Sequence, residues 1–307
     1  MKAITYASFD GPLELTDVPD PKIGPDWVLV DVRATSVNPV DWKIAGGHLD
    51  GLLDSVFPVT PGWDVSGVVE AVGPAVTTLV PGDEVYGYVR KDTVHGGTCA
   101  EKIGAPIRTL AKKPASLSFA EAAAVPLAGL TAYQALVHAL DVTADDIVLI
   151  HGASGGVGLF AVQIATSLGA RVLGTASEGN HAFLRGLGAE PIEYGDGLVD
   201  RVRAIVPDGV TAVLDLNGSD LAVSPELLAA SSTGRIVSIV DPGVKDLGGR
   251  YVFVAPDADD LDRLAELADA GSLTVEIAAT FPLAETQQAW ELSQEGHARG
   301  KIVITVD

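Results

Sequence analysis

The sequence holds a single cysteine, Cys99, in 307 residues. One cysteine excludes an intramolecular disulfide framework and any cysteine cluster for zinc. Basic residues are also scarce. There are 20 Lys and Arg against 41 Asp and Glu, a formal net charge of −21. A field of that sign disfavours nucleic acid and anionic membranes, and it obliges a bound phosphate to find local donors. No stretch reaches about 18 consecutive apolar residues, so no membrane span is expected. The opening residues, Met1 to Gly11, lack the apolar region of a secretion signal. These absences together predict a cytoplasmic protein. Metal ligands are short as well. Asp64, His48 and His95 combine only on paper, no spacing supports a site, and no metal is expected.

What the chain does contain is one organising stretch, Asp145 to Gly169, reading DDIVLIHGASGGVGLFAVQIATSLG. Ile147 to Ile150 form an apolar β-branched run, the mark of a buried strand. A turn rich in small residues follows, His151 to Gly156. Val157, Phe160, Ala161, Ile164, Ala165 and Leu168 then share one helix face, and Gly169 stops it. Strand, glycine turn and helix open a dinucleotide-binding βαβ unit. A pyrophosphate must reach backbone N–H groups at the helix N-terminus, where the dipole favours an anion. The pattern G-x-G-x-x-G stands here as Ala153-x-Gly155-x-x-Gly158, with Ala in the first place. Ala153, Ser154, Gly155, Gly156, Val157 and Gly158 are therefore the candidate cradle. The alternative is a glycine-rich structural turn; the agreement of strand, turn and helix favours the cradle.

The remaining chain divides by pattern. Residues 1–122 are β-rich, with short strand candidates at 3–6, 13–15, 28–34, 65–72, 84–88 and 100–103. Turn signals such as Asp10-Gly11-Pro12 and Pro81-Gly82-Asp83 separate them, which suggests a small irregular barrel or sandwich. Ser118 with Glu121 three residues later predicts a capping box opening a helix. From 123 to 272 strands alternate with helices. Strands are expected at 171–175, 191–194, 212–216, 235–240 and 251–254. Helices are expected at 180–187, 198–206, 221–230 and 259–270, with none between Val240 and Tyr251. Six strands in this order predict an α/β fold with a doubly wound parallel sheet. The tail, 273–307, reads as two strands around a helix and is expected to return to the first domain.

Several segments taken together carry a resemblance. They are Ile147 to Gly158, Pro126 to Tyr133 (PLAGLTAY), Gly62 to Gly73 (GWDVSGVVEAVG), Val37 to Lys43 (VNPVDWK) and Val80 to Val85 (VPGDEV). The chain resembles the medium-chain dehydrogenase/reductase superfamily from its first strand to Gly300-Lys301-Ile302. Within it, the chain is similar to the zinc-free quinone oxidoreductase branch. The resemblance implies a GroES-like barrel as catalytic domain, a Rossmann domain, NADPH, and hydride transfer to a conjugated carbonyl. Zinc-dependent relatives carry Gly-His-Glu where this chain has Gly62-Trp63-Asp64, and they use an early Cys that is missing here. Without a Lewis acid, alcohol oxidation loses its main support for an alkoxide; reducing a quinone or activated C=C needs less.

The end of the second Rossmann strand selects the cofactor. NAD enzymes place an acid there to bind the ribose hydroxyls. Here it is Ala176-Ser177, which admits a 2′-phosphate, and Ser177 and Asn180 can donate to it. Glu178 is the rival feature: it binds ribose, or it simply begins the next helix, where acids are favoured. The resemblance adds Tyr194 as a phosphate contact. It also puts His181 where a basic clamp is usual, with Arg185 a turn further on. By the same resemblance Gly129, Thr131, Asn217, Ser238, Val240, Phe253, Val254 and Lys301 line the cofactor. For the apolar members the competing account is core packing.

For catalysis, the resemblance places Asn38 near the nicotinamide, able to orient a carbonyl. Asp41 reads as structural, and Trp42 and Lys43 as possible pocket walls. Tyr86 and Tyr88 share one strand face and can stack on a flat substrate or donate a proton. His95, beside Gly96-Gly97, reads as an exposed loop histidine. Hydride delivery depends on geometry more than on a strong acid, so no obligatory general acid is named. The expected activity is NADPH-dependent reduction of a quinone or similar conjugated carbonyl. The alternatives are an enone or enoyl reductase, and an NADPH-binding protein with a regulatory or structural duty. The sixth Rossmann strand, 250–255, is short but apolar and lacks Lys or an internal Pro, so a homodimer through this sheet edge is expected, as the resemblance also implies; the alternative is an edge protected by the flanking Asp246 to Gly249 loop.

Overall fold

The structure, a computed structural model, describes residues 1–296 and 298–306. The chain forms two compact units. The first comprises Met1–Leu130, Pro256–Gly271 and the stretch from Val275 onward; the second comprises Thr131–Ala255 and Ser272–Thr274. In chain order the strands of the first unit are β1 (Lys2–Thr5), β2 (Glu14–Asp17), β3 (Trp27–Val37), β4 (Asp64–Val72), β5 (Glu84–Tyr88), β6 (Lys102–Pro106) and β7 (Leu110–Lys112). The second unit holds β8 (Ile147–His151), β9 (Arg171–Thr175), β10 (Glu190–Ile192), β11 (Ala212–Asp215), β12 (Ile236–Ser238) and β13 (Arg250–Tyr251). The tail adds β14 (Ile277–Pro282) and β15 (Lys301–Thr305) to the first unit.

The first unit is built on β3. Val28, Val30, Val32 and Ala34 alternate into the core, as a half-buried strand requires. The sheet runs β14-β15-β3-β4-β5-β7, with β6 also paired to β3. Apart from the parallel pair β14 and β15, its neighbours are antiparallel. The expected return of the tail is therefore found, because β15 pairs with β3 from Ile302 opposite Val37 to Thr305 opposite Ala34. The helix Phe119–Ala124 begins at the expected capping box: the Ser118 N–H donates to Glu121 Oε2 at 2.8 Å, and the Glu121 N–H to Ser118 Oγ at 3.3 Å. Its Ala123 and Ala124 are small enough to pack directly on Ala34 and Val303.

The second unit is the doubly wound sheet. Its order is β10-β9-β8-β11-β12-β13, and every neighbouring pair is parallel. The order reverses at β8, whose neighbours are β9 and β11, and ligands of such sheets bind at the carboxyl ends there. Leu149, Leu173, Val202, Val213 and Ile236 fill a core between strands and helices. Three expectations needed revision. The sixth strand, expected at 251–254, is only Arg250–Tyr251. The helix expected at 221–230 is a single turn, Ser224–Leu227, flanked by 3-10 turns at Leu221–Val223 and Ala230–Ser232. A 3-10 helix, Pro242–Leu247, fills the link between Val240 and Tyr251 where none was expected.

The division between units also differs from 1–122 with 273–307 against 123–272. The first unit extends to Leu130, and it includes the helix Ala258–Asp269. The physical reason is its bonding. The Tyr86 hydroxyl donates to Leu261 O at 2.5 Å, and the Ser116 N–H donates to Asp269 Oδ1 at 2.8 Å.

Candidate functional site

In the second unit β8 delivers the chain into the small-residue turn, and a helix runs from Gly158 to Ser167. Gly152 takes the left-handed conformation, φ +70°, and so makes the tight reversal. The turn is tied to β9: the Gly152 N–H donates to Thr175 Oγ1, and the Ala153 N–H to Thr175 O, both at 3.1 Å. At Gly158 a Cβ would stand 2.4 Å from Gly152 O, so no other residue fits. Ala153 in place of the usual glycine has its own explanation. Its methyl is buried against Gly174 of β9, where a Cβ would lie 2.8 Å from it. The cradle thus keeps side chains away from the start of the helix. It fits a dinucleotide pyrophosphate, which needs backbone donors and the positive helix end.

The residues expected around the adenosine end lie on adjacent strand ends. Ser177 follows β9 and Tyr194 follows β10, and Ile192 pairs with Thr175. Ser177 is exposed, and Tyr194 is 51% exposed. The Asn180 amide donates to Ser177 Oγ at 3.2 Å, and His181 Nε2 lies 3.2 Å from Ala176 O. His181 is thus partly engaged with the backbone.

At the ends of β11 and β12 the structure separates contact candidates from supports. The exposed Asn217 places its side-chain nitrogen 3.4 Å from where a Cβ on Gly152 would be, directly beside the turn. Val240, 43% exposed, and Phe253, 38% exposed, are not core residues. Val254 and Thr131 are buried. Ser238 is fully buried and donates to Asp215 Oδ2 at 2.6 Å while receiving the Val240 and Asp241 N–H groups. It is a support for the Val240 loop, a correction to its expected place as a contact. Asp215, missed in the sequence, holds the other loop by accepting the Asn217 and Gly218 N–H groups. Its signal was an acid closing an otherwise apolar strand, Ala212-Val213-Leu214-Asp215.

The first unit contains a closed polar cluster. Ser36, Asn38, Asp41, Asp64 and Lys301 are all at most 4% exposed. Ser36 Oγ and Asn38 Nδ2 donate to Asp64 Oδ2 at 2.7 and 2.8 Å, and the Leu127 N–H donates to Asp64 Oδ1 at 2.7 Å. Lys301 Nζ donates to Asn38 Oδ1 at 2.5 Å and to Val37 O at 3.2 Å, and it stands 3.9 Å from Asp64 Oδ2. The Asn38 N–H donates to Asp41 Oδ2 at 2.8 Å. Burial pushes the Asp64 carboxyl up and the Lys301 ammonium down, and their mutual attraction opposes both shifts. Burial pushes Asp41 up to about 7, with the Asn38 N–H pulling the other way. Ser36 and Asp64 were not among the expected site residues.

These contacts revise several expectations. Lys301 spends its charge inside this cluster, so it is not an open phosphate donor. Gly129 has a packing reason: a Cβ would meet Val125 Cγ1 at 3.0 Å and Leu264 Cδ1 at 3.1 Å. Tyr86 and Tyr88 are fully buried, and burial raises both phenols. The Tyr86 hydroxyl donates a hydrogen bond to Leu261 O, and the Tyr88 ring packs edge-on against Trp63 with centroids 5.9 Å apart. Both are packing residues, a correction to the pocket role. Trp42 is anchored through Nε1 to Ser293 Oγ at 3.2 Å. The exposed His95 has Nδ1 2.9 Å from Val56 O, as a loop histidine. Zinc does not fit. Asp64, at the place of the family's glutamate, already has both oxygens hydrogen-bonded, and Cys99 is a buried thiol that burial pushes up. Among the described residues no group of three metal-ligating side chains occurs.

Comparison with known proteins agrees with this architecture. Residues 24–143 match the family described as Alcohol dehydrogenase GroES-like domain, and residues 187–304 match the family described as Zinc-binding dehydrogenase. A chloroplast envelope quinone oxidoreductase homolog from Arabidopsis thaliana is 33% identical, across 99% of this chain and 98% of that protein. A chloroplastic NADPH-dependent alkenal/one oxidoreductase from the same plant is 34% identical, across 99% of this chain and 79% of that protein. The solved structure of the quinone oxidoreductase from Coxiella burnetii is 36% identical, with a TM-score of 0.87 over 100% of this chain and 99% of that one.

Proposed function

The chain belongs to the medium-chain dehydrogenase/reductase superfamily of oxidoreductases, in its quinone oxidoreductase branch, and on that premise we propose that it reduces a quinone or similar conjugated carbonyl with NADPH, without zinc. The observation that carries this reading is the presence of a small-residue pyrophosphate cradle together with an Asp64 carboxylate whose two oxygens are both hydrogen-bonded by protein donors. Oxidoreductases of the superfamily use a nicotinamide cofactor, which supplies a hydride when bound. The residues that would hold it are the 153–158 turn, Asn217, Val240 and Phe253, with Ser177, Asn180, His181 and Tyr194 at the 2′-phosphate. Preference for NADPH rests on Ala176-Ser177 at the end of β9, where no acid repels a phosphate. Asn38 is the proposed carbonyl-orienting group; its Nδ2 donates to Asp64 and its oxygen accepts from Lys301, which fixes the orientation of its amide. No buried acid is assigned as proton donor, and water serves.

The 34% identity to an alkenal/one oxidoreductase favours a second acceptor class, the α,β-unsaturated carbonyls. Following NADPH absorbance against quinones, enones and enoyl thioesters tests both. Turnover on quinones supports the first reading, and turnover on enones alone supports the second. Intact NADPH binding with no turnover on any acceptor overturns both, in favour of a binding protein. NADPH is expected to bind at least about tenfold more tightly than NADH, a difference of about 1.4 kcal/mol. We further place the protein in the cytoplasm as a homodimer joined at β13. That strand is the sheet edge, though only Arg250–Tyr251 are paired in it. Light scattering that returns the mass of one chain with NADPH present would remove the dimer. No helix among the described residues is long and apolar enough to cross a membrane.

A further inference from the structure

The loop after β10 is held by one side chain. Arg201, in the helix Leu198–Ile205, donates from Nε to Glu193 O at 3.0 Å and from Nη1 to Asp196 O at 2.8 Å. Its Nη2 donates to Tyr194 O at 3.2 Å and to Gly195 O at 3.1 Å. Four consecutive carbonyls therefore converge on a single guanidinium. The chain can fold around it because Gly195 and Gly197 both take left-handed conformations, φ +84° and +77°. Gly195 O also accepts the Leu198 N–H at 3.0 Å, and the Glu193, Tyr194 and Asp196 carbonyls are tied by Arg201. A planar five-donor group satisfies them together, whereas an ammonium lacks the matching geometry.

The same loop carries the half-exposed Tyr194, two residues past β10, and Ser177 lies two residues past β9, the two strands being paired up to Ile192 and Thr175. We propose that Arg201 is a positioning residue for cofactor choice. By fixing the 193–196 backbone it holds Tyr194 where the phenol meets the 2′-phosphate of NADPH, without itself touching the cofactor. The inference rests on the NADPH reading above. It adds a residue whose effect runs through backbone geometry and not through charge.

Fluorescence titration of purified wild type, Arg201→Lys and Arg201→Ala with NADPH and with NADH separates the possibilities. The wild type is expected to favour NADPH by about tenfold. In both variants NADPH binding is expected to weaken by about threefold, the share of the preference that Tyr194 carries beside Ser177, Asn180 and His181, with NADH binding unchanged. Adenosine 2′,5′-bisphosphate against 5′-AMP, which lack the nicotinamide, should show the same loss. If Arg201→Lys keeps the wild-type ratio while Arg201→Ala loses it, charge is the cause and the positioning role is overturned. If both variants keep the ratio, or lose NADH and NADPH affinity equally, the inference is also overturned while the NADPH reading stands. A wild type that binds both cofactors equally removes the NADPH reading and this inference with it.

Discussion

The two units solve opposite problems with polar groups. The second presents a turn of small residues, 152–158, which is half-exposed at the ends of its strands and leads into the start of a helix. The first hides side chains: Ser36, Asn38, Asp41, Asp64 and Lys301 satisfy one another out of water. An open backbone site tolerates no added atoms but carries little buried charge. A closed ionic cluster tolerates no loss of a partner, since an uncompensated buried charge is expensive. The difference predicts distinct kinds of failure on mutation.

The largest effect is expected in the closed cluster. Lys301→Met leaves the Asp64 carboxylate buried without its cation and should cost about 3–5 kcal/mol in urea unfolding. Adding Asp64→Asn should recover much of that loss. A cost under about 1 kcal/mol for Lys301→Met would show that the cluster is not held by its charges. In the open turn, Gly158→Ala drives a methyl into Gly152 O. It should lower NADPH affinity by more than tenfold with a stability loss of about 1–3 kcal/mol. Unchanged cofactor titration in that variant would break the assignment of the turn.

A third expectation concerns acid and base. Folded Asp41 holds its proton up to about pH 7, whereas the unfolded chain releases it near its ordinary value of 3.8. Between those limits the folded state binds more protons, so its stability falls as pH rises, by at most about 1.4 kcal/mol per pH unit. Thermal unfolding of wild type and Asp41→Asn at about pH 5 and pH 8 measures it. The variant should gain on the wild type at the higher pH, and parallel curves would deny the shift. The smallest effect belongs to the rim of the open site. Ser177→Asp should weaken NADPH about tenfold, near 1.4 kcal/mol, and improve NADH. A variant titrating like wild type would leave cofactor choice to other residues.

The same contrast explains what could be read from the chain alone. The turn was legible because its parts are adjacent: strand, Gly152, Gly158 and helix follow one another within one stretch of sequence. The doubly wound parallel sheet followed from the alternation of elements, and the capping box at Ser118 and Glu121 from a fixed spacing. The cluster was not legible as a unit, since Ser36, Asp64 and Lys301 come from three separate strands of one sheet. Asn38 and Lys301 were singled out as site residues and Asp41 as structural, while Lys301 spends its bonds on Asn38 and Val37. Tyr86 and Tyr88 show the limit of period-two reasoning. Alternation puts both on one face of β5, but it does not say that Leu261 and Trp63 cover that face. The helix Ala258–Asp269 followed the alternation in sequence, yet its bonds through Leu261 and Asp269 put it with the first unit.

The meeting of Ala153 with Gly174 has a consequence for how such sites vary. The turn and β9 share room for one methyl group, and here the turn holds it. Gly174→Ala alone would crowd the space, and Ala153→Gly alone would leave it empty. Exchanging the two residues conserves the volume and should restore the packing that either change disturbs. The glycine requirement therefore belongs to a point in space where two segments touch. Either segment can discharge it, so a search that insists on glycine at one place in the sequence will pass over cradles that are sterically complete.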